Sequence, residues 1–193
     1  MEENEEITYF EKKFENISYE ERKFVGRYFD TCTFSKSNLK SCSFEKCRFV
    51  NCKFEDCDLS LIKFKNTSFN NIEIINSKAI GVMWFHAGDP FSINFANSRI
   101  SYSSFFGKNL KKAKFINCNA DEVDFSECNL MQADFSETDL RNAVFSNSDL
   151  SLANFVNAKN YIIDIRNNKV KKAKFSLPEA LSLLYGLDVI IEE

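Results

Sequence analysis

The chain has 193 residues, 44% hydrophobic and 15% aromatic, a composition too apolar for a disordered segment. Its 21 Phe stand against one Trp, five Gly and two Pro, so something repetitive selects a single aromatic type. A net charge of −3 supplies no strong basic field and argues against direct nucleic-acid binding.

The N-terminus, MEENEEITYF, opens on acids where a secretory signal carries a basic stretch and then an apolar run. No apolar segment anywhere is long enough to span a bilayer. This predicts a soluble, cytoplasmic protein with no membrane partner. Residues 1–18 read as an acidic cap or arm: Tyr9, Phe14 and Tyr19 fall five apart, but Lys12 stands where a small residue is expected.

From Phe24 a large apolar residue recurs every fifth position, through Phe29, Phe34, Leu39, Phe44, Phe49, Phe54, Leu59, Phe64, Phe69 and Ile74 to Trp84. The register slips by one residue and resumes at Phe95, continuing through Phe105, Phe115, Phe125, Phe135, Phe145 and Phe155 to Phe175, with Ala79, Ala120 and Asn160 as its exceptions. Two residues before these positions lies a smaller class, such as Cys32, Cys42, Thr67, Ser98, Ala133 and Ser148. A separation of two puts both classes on one face of an extended segment. A period of five fits neither a helix nor a long strand. It fits short extended sides joined by corners, and such units bury their apolar face only by stacking coil on coil. Between Phe125 and Phe155 residues twenty apart match in type, which predicts ladders of Phe on Phe and Leu on Leu.

Ala133-Asp134-Phe135-Ser136-Glu137 and Ser148-Asp149-Leu150-Ser151-Leu152 resemble the A(D/N)LXX unit of the pentapeptide-repeat family. The resemblance implies an all-β fold, a right-handed quadrilateral β-helix with about twenty residues per coil, over residues 19–175.

Between Trp84 and Phe95 the spacing is eleven. Gly88-Asp89-Pro90 is turn chemistry and Pro90 lacks a ladder donor, so the slip is placed in residues 85–94. The segment reads either as a bulge that re-aims the following coils or as a protruding contact loop built from His86, Gly88, Asp89 and Pro90.

Residues 176–193 read as a cap. Ser176-Leu177-Pro178-Glu179 has the form of a capping box, Leu177, Ala180, Leu181 and Leu184 form a helical stripe ended by Gly186, and Leu187 to Ile191 reads as a short strand. This arrangement is similar to the C-terminal element of the Qnr and MfpA type quinolone-resistance proteins. That likeness implies a homodimer of end-to-end rods through Leu177, Leu181, Leu184, Val189 and Ile191.

No catalytic, cofactor or metal site is expected, nor a small-molecule substrate. All seven Cys occupy the small inward position, where a thiol acts as a small buried hydrophobe, and their spacing lacks the close pairs of zinc sites. His86 is the only histidine, so a His-based triad, a His-paired Cys or a multi-His metal site would have to be built around that single loop residue.

Charge is uneven along the chain. From Asn119 to Leu150 eight acids (Asp121, Glu122, Asp124, Glu127, Asp134, Glu137, Asp139, Asp149) face Arg141 alone, a balance of −7; from Thr31 to Cys118 thirteen bases outnumber six acids, or +7. The acids are expected to point outward in vertical stripes that oppose a basic groove, with Asp134 tolerating replacement. The Qnr and MfpA resemblance implies mimicry of the DNA duplex at DNA gyrase and topoisomerase IV. The run from Phe44 to Cys52 is also similar to a run of McbG, an immunity protein protecting gyrase. Together these imply a non-enzymatic, partial DNA mimic that shields the topoisomerase from a quinolone or peptide toxin. The alternative is an interaction scaffold for a different protein, since this fold does not fix function.

Overall fold

Parallel pairing at a spacing of twenty residues organises the computed structural model, which describes residues 7–187, 189 and 190. Ile7–Phe10 pairs with Arg27–Asp30, that segment with Arg48–Val50, and Arg48–Val50 with Ser68–Ile75. A second side stacks Lys13–Glu15, Thr33–Ser35 and Lys53–Glu55, and a third stacks Lys23–Val25, Ser43–Glu45 and Lys63–Lys65. The fourth is a column of single bridges through Ser18, Asn38, Asp58 and Lys78. Four five-residue sides close one coil, and about eight coils make a right-handed, four-sided β-helix. Residues 7–18 lie in the first coil and pair with the second.

The interior follows the sequence period. Phe95, Phe115, Phe135, Phe155 and Phe175 form one column, each ring stacked on the next, as with Phe115 and Phe135 at 5.1 Å and 7°. Phe105, Phe125 and Phe145 form the facing column. Rings of the two columns meet edge to face, Phe125 and Phe135 at 5.3 Å and 81°. Aromatic contacts of this kind contribute about 0.5–1.5 kcal/mol each beyond area burial. Leu130, Leu140 and Leu150 fill the remaining sides and are fully buried.

Corners come two residues after each inward residue. Glu122, Glu127, Gln132, Glu137 and Asn142 all sit in the left-handed region, with φ between 55° and 62°. That conformation costs a residue with a Cβ roughly 1–2 kcal/mol. It persists because the corner N–H groups of Glu122, Glu127, Gln132 and Glu137 donate to the next coil, Glu127 to the Ser146 carbonyl at 2.8 Å for example.

Three details differ from expectation. Asn160 does not point inward: its φ is 59° and its Nδ2 donates to Asp139 Oδ1 at 2.7 Å, while Tyr161 fills the core against Phe155 and Phe175. An amide in an all-apolar column would lose its hydrogen bonds, and Asn tolerates the left-handed corner. At the C-terminal end Glu179–Leu187 is a 3-10 helix, and Ser176 Oγ accepts the Asn157 N–H instead of closing a capping box. The expected strand from Leu187 is not formed at its described positions, since Leu187 closes the helix and Val189 and Ile190 are irregular. The helix already covers that edge: a Cβ on Gly186 would lie 3.3 Å from Asp164 Oδ1.

Candidate partner-binding surface

The side-chain register decides what the outward residues can do. Residues twenty apart stack, so acids five or ten apart fall on different sides. Asp139 bridges Asn119 and Lys159, Asp134 bridges Lys114 and Asn154, Asp149 bridges Asn129 and Lys169, and Asp124 bridges Ser104 and Val144. None of these four stacks on another acid. The expected vertical stripes are therefore replaced by a belt of carboxylates around one and a half coils. Glu122, Glu127 and Glu137 are exposed at corners, whereas Asp121, Asp124, Asp134, Asp139 and Asp149 are half-buried.

Half-burial has a structural cause. The carboxylate Oδ1 of Asp124, Asp134, Asp139 and Asp149 accepts the backbone N–H two residues on, from Ser126, Ser136, Arg141 and Ser151, at 2.9–3.2 Å. Each closes an Asx turn at a corner. Asp134 Oδ1 also accepts from Asn154 Nδ2 at 2.9 Å, and the Ser151 hydrogen bond holds the Asp149 carboxyl below its ordinary range. The expectation that Asp134 tolerates replacement is thus overturned: this acid closes a turn and ties two coils together. An Asp preceding the inward residue carries no sequence mark separating turn closure from free charge.

The charge sequence continues past the belt. Residues 151–175 hold six bases (Lys159, Arg166, Lys169, Lys171, Lys172, Lys174) against Asp164 alone, a balance of +5. The belt lies between two basic stretches.

In residues 85–94 the ladder is bulged. Gly88–Ala96 pairs with Ser68–Ile75 in the order Ser68 to Gly88, Phe69 to Phe91, Ile72 to Ile93. Two residues, Asp89 and Pro90, are gained and one is given back opposite Asn70 and Asn71, for the net slip of one. Ser92 Oγ bridges the irregularity, accepting from the Asn71 N–H at 2.6 Å and donating to Asn70 Oδ1 at 3.0 Å. Lys108 Nζ donates to the Ala87 carbonyl and lies 4.9 Å above the Phe91 ring, and burial lowers its pKa. His86, Asp89 and Pro90 are exposed and Gly88 is half-buried, all on a segment hydrogen-bonded to its neighbours.

At the C-terminal end Leu177, Leu181 and Val189 are exposed, Ile190 is 90% exposed, and Leu184 is half-buried. Ile191 lies outside the described residues.

The small inward side chains have a chemical task that their size alone does not suggest. Thr67 Oγ1 and Ser148 Oγ donate to the carbonyls of Phe44 and Phe125, twenty-three residues back, at 3.0 and 2.7 Å, and accept the N–H groups of Cys47 and Cys128 at 3.1 Å. Cysteine thiols make the same donation, Cys128 Sγ to the Phe105 carbonyl at 3.0 Å. Burial pushes the thiols of Cys52, Cys118 and Cys128 up to about 12. At neutral pH they are protonated donors, poor nucleophiles and poor metal ligands.

One surface escaped the sequence reading. Phe85 and Phe106 lie outside the five-residue register, and both are exposed beside Met83, Tyr102 and Leu61. Their off-register position was the available signal.

The Pentapeptide repeats family model matches the chain in eight copies, over residues 29–71, 93–132, 109–147 and 128–159. No curated protein sequence matches it. Among solved structures it is similar to a trypsin-treated form of QnrB1, a plasmid-mediated fluoroquinolone resistance protein, at 20% identity over 97% of this chain and 99% of that one, with a TM-score of 0.58. It is also similar to HetL, a protein involved in heterocyst differentiation regulation from the cyanobacterium Nostoc, at 13% identity over 88% and 85% of the two chains, with a TM-score of 0.53. At these identities the likeness is one of fold.

Proposed function

This chain belongs to the pentapeptide-repeat family, and from that premise we propose that it is a non-enzymatic binding protein that engages DNA gyrase or topoisomerase IV as a partial DNA mimic. The reading extends to protection of the topoisomerase from a quinolone or peptide toxin in the cytoplasm. The acidic belt carries it. Eight carboxylates on one and a half coils occupy about 7 Å of rod at strand spacing, roughly one charge per Å. Duplex DNA carries one per roughly 1.7 Å. A belt also distributes charge around an axis, as a duplex does, which a stripe does not. The flanking basic coils confine the mimicry to a short segment. QnrB1, a fluoroquinolone resistance protein with a similar fold, supports the choice of partner. The exposed Leu177, Leu181 and Val189 support a homodimer through the C-terminal end.

The test is supercoiling by gyrase with a fluoroquinolone present, with and without the purified chain. Restored supercoiling is expected, together with direct binding to gyrase. Absence of both removes this reading. A second reading, a scaffold for a non-topoisomerase protein, is favoured by HetL, which is involved in heterocyst differentiation regulation and has a similar fold. Capture of such a partner, lost when outward residues change and the fold persists, selects it.

A further inference from the structure

The side of the rod bearing Met83 and Phe85 differs from the other three. Along it, coil by coil, the outward residues read Lys63 and Lys65, then Met83 and Phe85, then Ser104 and Phe106, then Asp124 and Ser126. The adjoining corners add Leu61, Gly81, Tyr102 and Glu122 on one edge and Asn66, His86, Gly107 and Glu127 on the other. The centre is therefore apolar: Leu61, Met83, Phe85, Tyr102 and Phe106 are exposed, Tyr102 at 52% and Phe106 at 46%. Together they form a patch on the order of a few hundred Å², as large as the biggest patches on soluble monomers, which are often functional. Gly81 flattens it. Its φ is 67°, and a Cβ there would fall 2.8 Å from Leu61 Cδ2, so only glycine lets Leu61 lie across the corner.

Charge flanks this patch asymmetrically. Lys63 and Lys65 lie on the N-terminal side, with Lys46 one coil further, and all three are exposed; Glu122, Asp124 and Glu127 lie on the C-terminal side. Bases and acids are three coils apart, about 15 Å at strand spacing. A sequence of base, apolar, acid along one line is complementary to its own reverse. Turning a second rod antiparallel about an axis between the Phe85 and Phe106 rows sets Lys63 opposite Asp124, Leu61 opposite Glu122 with Lys63 beside it, and Phe85 opposite Phe106. Tyr102 then lies over Gly81. A partner of uniform charge satisfies only one flank.

We propose that this side pairs with the same side of a second copy, two rods running antiparallel about a two-fold axis through the Phe85–Phe106 centre. The contact goes beyond the gyrase reading and is separate from the C-terminal end.

Sedimentation equilibrium of the full chain tests it, run in parallel on Leu177→Asp/Leu181→Asp, which silences the end contact. Dimerisation should persist in the end-silenced chain and weaken as NaCl rises. Phe106→Ser, which matches Ser126 one coil on, should weaken that dimer at least tenfold with an unchanged circular dichroism spectrum. Lys63→Glu/Lys65→Glu and Glu122→Lys/Glu127→Lys should each be monomeric alone, because each places like charges at both flanks. Lysine already occupies the equivalent corner at positions 46 and 112, so the second pair is compatible with the fold. Mixing the two reversed chains should restore a one-to-one dimer, since both flanks are then complementary. An end-silenced chain that is monomeric at every concentration overturns the proposal and leaves the end contact standing. So does failure of the mixture to associate. If the reversals leave self-association unchanged but abolish gyrase binding, the face serves that partner instead and the proposal falls.

Discussion

The coils before the bulge and those after it solve the same packing problem with different side chains. Before it, three of the four columns are aromatic: Phe49 alone touches Phe29, Phe34, Phe44, Phe54 and Phe69. Three of the four sides contain true strands, led by outward residues such as Thr33, Ser43, Arg48 and Lys53, and the fourth is the column of single bridges. After it, two columns are aromatic and two aliphatic, and the sides shrink to two-residue strands and single bridges between tight turns. The residue before the inward one contributes to the difference. At Asp124, Asp134, Asp139 and Asp149 the side-chain oxygen takes the N–H two residues on and the side is a single bridge, whereas from Thr33, Ser43, Arg48 and Lys53 the chain extends as strand. Outward charge and backbone geometry are therefore coupled: the half that turns through Asp is also the acidic half.

The comparison is broken most forcefully by placing a charge in the later coils. Phe135 is fully buried between Phe115 and Phe155 and edge-on to Phe125 and Phe145. Phe135→Asp should cost about 4 kcal/mol or more, through lost packing and an unpaired buried carboxyl. Coils contact only their neighbours, so amide exchange should show the coils around residue 135 unprotected while residues 24–74 keep protection longest. If both halves lose protection together, they are one cooperative unit and the contrast is only one of composition.

Alkaline pH should weaken the halves in the opposite order. Burial raises the thiols of Cys42, Cys47, Cys52 and Cys57 before the bulge and of Cys118 and Cys128 after it. A folded-state pKa above the unfolded value means stability is complete below the ordinary thiol range, near 8.5, and falls as pH rises towards about 12 for Cys52, Cys118 and Cys128. One unit above the ordinary value the loss is about 1.4 kcal/mol per fully protected thiol. Denaturant midpoints measured from pH 8 to 10.5 should fall, with exchange rising first in residues 29–59. A Cys52→Ser/Cys118→Ser/Cys128→Ser chain should show a flatter limb. A flat profile in the parent chain removes the thiols as the cause.

Much of the fold was legible because a period of five leaves one geometry that buries every fifth side chain, and Phe at Phe125, Phe135 and Phe145 marks it unmistakably. The surface was less legible. Stacking is set by twenty residues and not by five, so Asp124, Asp134 and Asp139 read as a line in sequence and wrap around the rod in space. Asn160 kept the numerical phase while Tyr161 took the interior, because hydrogen bonding of an amide outweighs periodicity at one position. Leu187 to Val189 has strand propensity, but an end strand needs an open edge, and the helix beside Asp164 occupies it. Phe85 and Phe106 were visible only as exceptions to a pattern whose regular members drew the reading.

The smallest effect sharpens the comparison at a single side chain. Asp134 Oδ1 receives the Ser136 N–H at 3.0 Å and Asn154 Nδ2 at 2.9 Å. Asp134→Lys removes the acceptor of both hydrogen bonds and should destabilise the chain by about 1–2 kcal/mol, comparable to losing a helix cap. Asp134→Asn keeps a side-chain oxygen for the turn while removing the charge, and should cost less than about 0.5 kcal/mol. At Lys53, where an outward residue leads a strand on the same side of an earlier coil, Lys53→Asp should leave stability within about 0.5 kcal/mol. Urea midpoints on the three variants separate turn closure from charge. Equal losses in Asp134→Lys and Asp134→Asn would assign the effect to the missing carboxylate charge, and the coupling of turn to acidity would fail at the residue where the hydrogen bonds are most complete.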